Sequence, residues 1–252
     1  MNNLIQSEWY KLWKDRSFRA LLWMISAAGL FWSIFKYIDQ RMDGESPATG
    51  IEMWISALMG SYIMIIGICV LAGFFISSEY TTGVMKSIAS SGNSRGGIIA
   101  AKQLVFSIGC AILGLLFPVI NFVVATILSG LGELPGEDIF PYLLRTFGLL
   151  ILFAAAFASI ATLIATLMAE GGKTIAFTMV FFLFIDIFFA AVGKYISFVE
   201  TIYHYTVFKL MYELGTVAPD GGLYLRMIII PLITIVCFGM ISAWFYRRKE
   251  IK

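Results

Sequence analysis

Charge is nearly absent from most of this chain, and that limits its fold more than any motif does. Ala20 to Phe35, Met53 to Ser78, Gln103 to Gly132, Thr146 to Ala169 and Met227 to Tyr246 contain no Lys, Arg, Asp or Glu. Thr174 to Gly193 is interrupted only by Asp186. A helix needs about 20 apolar residues to cross a hydrocarbon core of roughly 30 Å, and a bilayer admits only backbone whose hydrogen bonds are closed internally. With 60% hydrophobic and 13% charged residues, little chain is left for a soluble catalytic domain. The expectation is an all-α integral membrane protein with six transmembrane helices, near 18–37, 54–77, 103–129, 143–168, 174–193 and 226–246, in one domain covering 1–252.

The first apolar run is short, but Phe18, Arg19, Lys36 and Tyr37 extend it, because basic side chains snorkel and aromatics settle at the interface. It ends at Ser33–Tyr37 with no small-residue cleavage site, so it reads as a retained span, not a signal peptide. Of the 18 basic residues, 12 fall on one side, counting Lys11, Lys14, Arg16, Arg19, Lys86, Arg95, Lys102, Lys173, Arg247, Arg248, Lys249 and Lys252. The excess of Lys and Arg marks that side as cytoplasmic and puts both termini inside. The opposite connections carry Asp39, Asp43, Glu45, Glu133, Glu137, Asp138 and Glu213.

Little in the sequence speaks for chemistry. Cys69, Cys110 and Cys237 all lie in apolar runs, as buried soft hydrophobes do. His204 is the only histidine, so no zinc set or paired-histidine peptidase motif is present, and an intramembrane enzyme is disfavoured. Glu170-Gly171-Gly172-Lys173-Thr174 ends like a phosphate-binding loop, but Leu167 stands where that loop requires glycine. It reads as a tight turn. The chain is not expected to be catalytic or to bind a cofactor or metal itself.

Other segments carry more specific signals. Leu4, Ile5, Trp9, Leu12 and Trp13 recur at helical spacing, with Glu8, Lys11 and Lys14 on other faces. That pattern predicts an interfacial helix over 3–17, anchored by Trp9 and Trp13. Between spans two and three, Val84, Met85 and Ile88 share one face of a short helix exposed to the cytoplasm, which headgroups or a soluble partner must cover. Phe198 to Leu214 is too apolar for a solvated loop and predicts one or two short helices dipping into the outer leaflet. In span three, Pro118 and Asn121 predict a kink or a polar lining site. Asp186, the only acid within a span, must be paired, protonated or facing a cavity, and Arg145 and Arg226 begin neighbouring spans on its side. Small residues four apart in span four suit close packing within the subunit, whereas the phenylalanines of span five suit lipid or a partner span.

Glu79-Tyr80-x-x-Gly83, a short apolar helix, Ser94-Arg95, Ile98-Ile99 and Lys102 together resemble the coupling segment of type-2 ATP-binding-cassette permeases. The resemblance extends to the basic, Trp-containing N-terminus, the six spans and the internal ends. It is nearest to small bacterial exporter permeases, including peptide-antibiotic self-protection systems. Val84 and Gly92-Asn93 depart from the Thr and Pro that members often carry. The resemblance implies a coupling segment over 79–102 that docks on a separate ATP-hydrolysing subunit in a bacterial plasma membrane. Glu79 would orient the segment, Gly83 would permit close approach, and Val84, Met85 and Ile88 would insert into a groove of the ATPase. Arg95 and Lys102 would anchor at the inner headgroups. It also implies a second permease subunit, identical or related, with ATP and Mg held by the partner ATPase. The alternative is an ion- or proton-coupled secondary transporter using Asp186.

Overall fold

The computed structural model describes residues 2–59, 62–82 and 94–248, with the side chains of Asn2 and Arg95 outside that set. Among the described residues every regular element is helical. Helix α1 (Asn2–Lys14) leads into α2 (Arg16–Met42), then α3 (Gly50–Met59) and α4 (Tyr62–Leu71). A π-helical stretch, Ala72–Ser77, carries α4 into α5 (Ser78–Thr81). After residues 83–93 come α6 (Arg95–Ser129), α7 (Ile139–Met168) and α8 (Gly171–Gly193). The short α9 (Ser197–His204) and α10 (Val207–Met211) precede α11 (Gly221–Arg248). Six helical runs are long and apolar enough to cross a membrane: Arg16–Met42, Tyr62–Thr81, Gly96–Ser129, Ile139–Met168, Gly171–Gly193 and Gly221–Arg248.

Local chemistry explains the boundaries. Asp15 caps α2 by accepting from the Phe18 N–H at 2.9 Å, and Ser94 caps α6 by accepting from the Gly97 N–H at 3.2 Å. Ala169 ends α7 in the left-handed region, φ 53°, so only Ala169 and Glu170 separate α7 from α8. The tight turn read at Glu170 to Thr174 is therefore largely the first turn of α8. Helix α6 runs unbroken through Pro118. Proline leaves the Gly114 carbonyl without its intrahelical donor, yet Asn121 does not serve that group. Its Nδ2 donates to the Phe117 carbonyl at 2.8 Å, and its Oδ1 accepts from Ser33 of α2 at 2.9 Å. Asn121 thus joins two helices.

Helix α7 is the centre of the bundle. Ala154, Ala156, Ala158, Ala161 and Ala165 are fully buried, and their small side chains let α6, α8 and α11 approach. Helices α8 and α11 turn most of their surface outward, with Phe177, Phe184 and Phe188 exposed, as expected of side chains solvated by lipid. One end of the bundle gathers α1, α5, the start of α6 and the end of α11, since Lys102 meets Glu8 and Arg247 lies over Gly96. At the opposite end the Gly50 and Ile51 N–H groups donate to the Gly130 and Leu131 carbonyls at 3.0 and 3.1 Å. Arg145 there bonds Glu137 at 2.8 Å and the Thr216 carbonyl at 2.9 Å, pinning the chain between α10 and α11.

Candidate functional site

Charges buried in an otherwise apolar bundle mark the site. Glu8 and Lys11 sit one turn apart on α1, Glu79 sits on α5 and Lys102 on α6. Lys102 lies 2.9 Å from Glu8 and 2.7 Å from Glu79, while Lys11 lies 2.6 Å from Glu8 and 3.2 Å from Glu79. The Lys102–Glu79 contact lies off the hydrogen-bonding direction, so Coulomb attraction carries it. Each ammonium therefore touches both carboxylates, forming a neutral square of alternating sign. The Lys102 side chain has no exposed surface and Glu8 almost none, whereas a third of the Lys11 side chain reaches solvent. Lys102 also stands 4.9 Å over the Phe75 ring, which stacks on Phe106.

The square biases its own titration. Burial pushes the Glu8 carboxyl up, but Lys102 and Lys11 outweigh that and hold it below its ordinary 4.5. Burial pulls Lys11 down, but bonding to Glu8 and the charge of Glu79 outweigh that and raise it above 10.5.

A second set of contacts fixes the approach to Glu79. The Ser77 hydroxyl lies 2.7 Å from that of Thr174 on α8 and donates to the Ala165 carbonyl of α7 at 3.4 Å. Gly73 permits close backbone packing, because a Cβ there would stand 2.8 Å from the Gly171 carbonyl. The π stretch is thereby wedged against the turn that joins α7 to α8. Tyr80 meets the Tyr246 ring edge-on at 6.2 Å, with Ile98 and Ile99 packed beside them.

Of the residues singled out for coupling, the structure brings Glu79 and Lys102 together. Lys102 is not at a headgroup: two carboxylates hold it inside the bundle, because a fully buried ammonium requires anions. Gly83, Val84, Met85 and Ile88 lie outside the described residues. Arg95 opens α6, and its side chain lies outside them too. On α1, Trp13 is exposed and Trp9 is partly buried against the core, the two rings edge-to-face at 5.8 Å. Glu8 is the residue that the helical pattern misplaced. It shares the inward face of Ile5 and Leu12, where Lys102, 94 positions away, compensates its charge.

At the opposite end Asp186 pairs with neither arginine offered by the sequence. It accepts hydrogen bonds from Tyr203 at 3.0 Å and Tyr212 at 2.9 Å, while Arg145 bonds Glu137 and Arg226 donates to the Gly222 carbonyl. Burial pushes both phenols well above their ordinary 10.0, reinforced by the Asp186 carboxylate at Tyr203 and by Tyr62 and Asp186 at Tyr212, so they stay protonated donors. Phe189 stacks on Tyr203 at 5.2 Å, and His204 is exposed at the end of α9. Two short helices, α9 and α10, thus occupy the apolar connection, and Asp186 staples them to α8. Asn121 borders a cavity of about 440 Å³ between α2, α3, α4 and α6, along with Trp32, Met53 and Phe117.

The family model described as ABC-2 family transporter protein matches residues 4–186. That range holds all four members of the charge square and the first five helical runs of spanning length up to Asp186. No curated protein matches the chain.

Proposed function

Since the chain belongs to the ABC-2 family of transporter proteins, we propose that it is the permease subunit of an ATP-driven exporter, working as a dimer with separate ATP-hydrolysing subunits. Family membership makes it the membrane component of a transporter and not a catalyst by itself. ATP and Mg would belong to the partner ATPases. Both termini and the segment between Thr82 and Ser94 face the cytoplasm of a bacterial cell in this reading, in keeping with the basic bias of that end.

One observation carries the proposal: the charge square joins both roots of the coupling segment to α1. Glu79 begins the segment, Lys102 ends it, and Glu8 with Lys11 bridges the two. An ATPase that grips Val84, Met85 and Ile88 and closes on nucleotide would displace Glu79. Glu79 could not move alone without stranding a buried ammonium, so α1 and α6 would follow. The π stretch passes the displacement to α8 through Ser77 and Thr174. Both permease copies would thereby open and close a path between them.

The test is co-purification. Met85→Asp with Ile88→Asp leaves the permease inserted but abolishes recovery of the ATPase. Unchanged recovery counts against the docking role. A gradient-driven carrier using Asp186 is the competing reading, and transport by the purified chain alone in vesicles under a proton gradient would establish it. Asp186 is already engaged by two hydroxyls of the same chain, which suits a staple better than a proton carrier.

A further inference from the structure

A groove of about 560 Å³ runs between α6 and α11, on the opposite side of α6 from the charge square. Small residues open it: Gly96 and Ala100 on α6, and Gly239 and Ala243 on α11, with Ala155 of α7 as the floor. Its α6 wall runs from Gly96 to Ile108. At 1.5 Å per residue this is about 18 Å, close to half of a hydrocarbon core of roughly 30 Å. The groove therefore starts at the end that carries both termini and stops near the midplane, the depth of one leaflet.

Its mouth is cationic. The Arg247 guanidinium overlies the start of α6, with Nη2 at 2.8 Å from the point where a Cβ on Gly96 would stand. The α6 N-terminus adds the positive end of its dipole. Arginine is suited to bind phosphate through two parallel hydrogen bonds.

Two turns below the mouth, the wall holds an unmet polar group. Gln103 is 8% exposed, and its amide makes no hydrogen bond with any described residue. The amide faces Gly239, its Oε1 and Nε2 at 2.9 and 3.1 Å from where a Cβ there would stand. The amide opens onto the groove, so an occupant without hydrogen-bonding groups would leave it unmet. A hydrocarbon chain alone offers it no partner.

From this combination we infer that the groove binds one anionic glycerophospholipid. The phosphate sits at Arg247, an ester oxygen meets the Gln103 amide, and one acyl chain fills the channel toward Ile108. This inference needs only the membrane placement of the bundle and does not rest on its role as an exporter.

The experiment is native mass spectrometry of the purified full-length chain after exchange into vesicles of phosphatidylglycerol or of phosphatidylcholine. The expected result is one retained phosphatidylglycerol per chain and weaker retention of phosphatidylcholine. Ala100→Phe, which fills the groove, removes the retained lipid. Arg247→Gln lies at the surface and keeps the fold. It lowers phosphatidylglycerol retention about tenfold and erases the preference between the two lipids. Gln103→Leu weakens retention of both lipids. Retention unaltered in Arg247→Gln and Ala100→Phe overturns the inference. So does an Ala100→Phe chain that keeps its lipid but changes its oligomeric mass, which would assign the groove to a second copy.

Discussion

Replacing Lys102 by Met tests the charge square most directly. Methionine keeps the side-chain length and the contact with Phe75 but removes the ammonium between Glu8 at 2.9 Å and Glu79 at 2.7 Å. The square then holds two carboxylates and Lys11 alone, a net charge of −1. Breaking a buried ion pair costs about 3–5 kcal/mol, because the stranded charge keeps its desolvation penalty. Lys11 is one-third exposed, so water reaches that corner and the lower half of the range is expected. In a chain of this size about 2–4 °C of melting temperature corresponds to 1 kcal/mol, so heat unfolding in detergent should show a fall of about 6–16 °C. Adding Glu8→Gln to Lys102→Met restores neutrality, leaving the Lys11–Glu79 pair at 3.2 Å. The double variant should regain about 2 kcal/mol relative to the sum of the singles. A Lys102→Met loss under about 1 kcal/mol, or strict additivity in the double variant, would refute the square as a coupled unit.

Three further outcomes follow from the same contacts. Glu8 is depressed and Lys11 raised. The Glu8 contribution is complete above its ordinary 4.5 and lost as acid carries pH down through its folded value, whereas the Lys11 contribution is complete below 10.5 and lost above its folded value. Melting temperature should therefore be flat across neutral pH and fall at both extremes. A Glu8→Gln/Lys11→Met variant should flatten the profile, and a profile that does not change removes these groups from the account. At the far end, Tyr203→Phe or Tyr212→Phe deletes one hydrogen bond to a charged acceptor, worth about 1.5 kcal/mol. Amide exchange should quicken across α9 and α10, and unchanged exchange would deny the staple. Gly73→Ala should cost about 1–3 kcal/mol by heat denaturation, because its Cβ meets the Gly171 carbonyl at 2.8 Å. Gly172→Ala, which meets nothing within 4 Å, serves as the control and should cost nothing.

The parts of this fold that could be read from sequence are those set by solvent. A bilayer imposes length and composition on a crossing helix, so six charge-poor runs announced six spans. Side-chain size separated the alanine-rich α7, now central, from the phenylalanine-rich α8 at the surface. Contacts set by partners distant in sequence leave no such signal. A glutamate on a short basic helix reads as solvent-facing, and only Lys102 reverses that at Glu8. Lys102 likewise reads as a headgroup anchor until its two carboxylates are seen. Asp186 announced that it needed a partner, but the nearby arginines drew attention away from two tyrosines in a connection notable mainly for being apolar. The π stretch Ala72–Ser77 has only Gly73 as a clue, and one glycine in an apolar helix has several meanings.

Position explains why a membrane bundle would keep four charges where aliphatic packing serves stability equally well. Replacing a buried ion cluster by matched apolar residues is often neutral or stabilising, so stability alone does not account for the square. A greasy contact between α1, α5 and α6 would tolerate small slips, since dispersion is short-ranged and non-directional. A carboxylate withdrawn from a buried ammonium instead exposes a charge penalty of several kcal/mol, so partial slippage of Glu79 past Lys102 is strongly resisted. The three helices therefore move together or remain in place. On the proposed coupling role, that behaviour is what an element would need to convert a push on residues 83–93 into movement of whole spans, and the square stands where both ends of that segment enter the bundle.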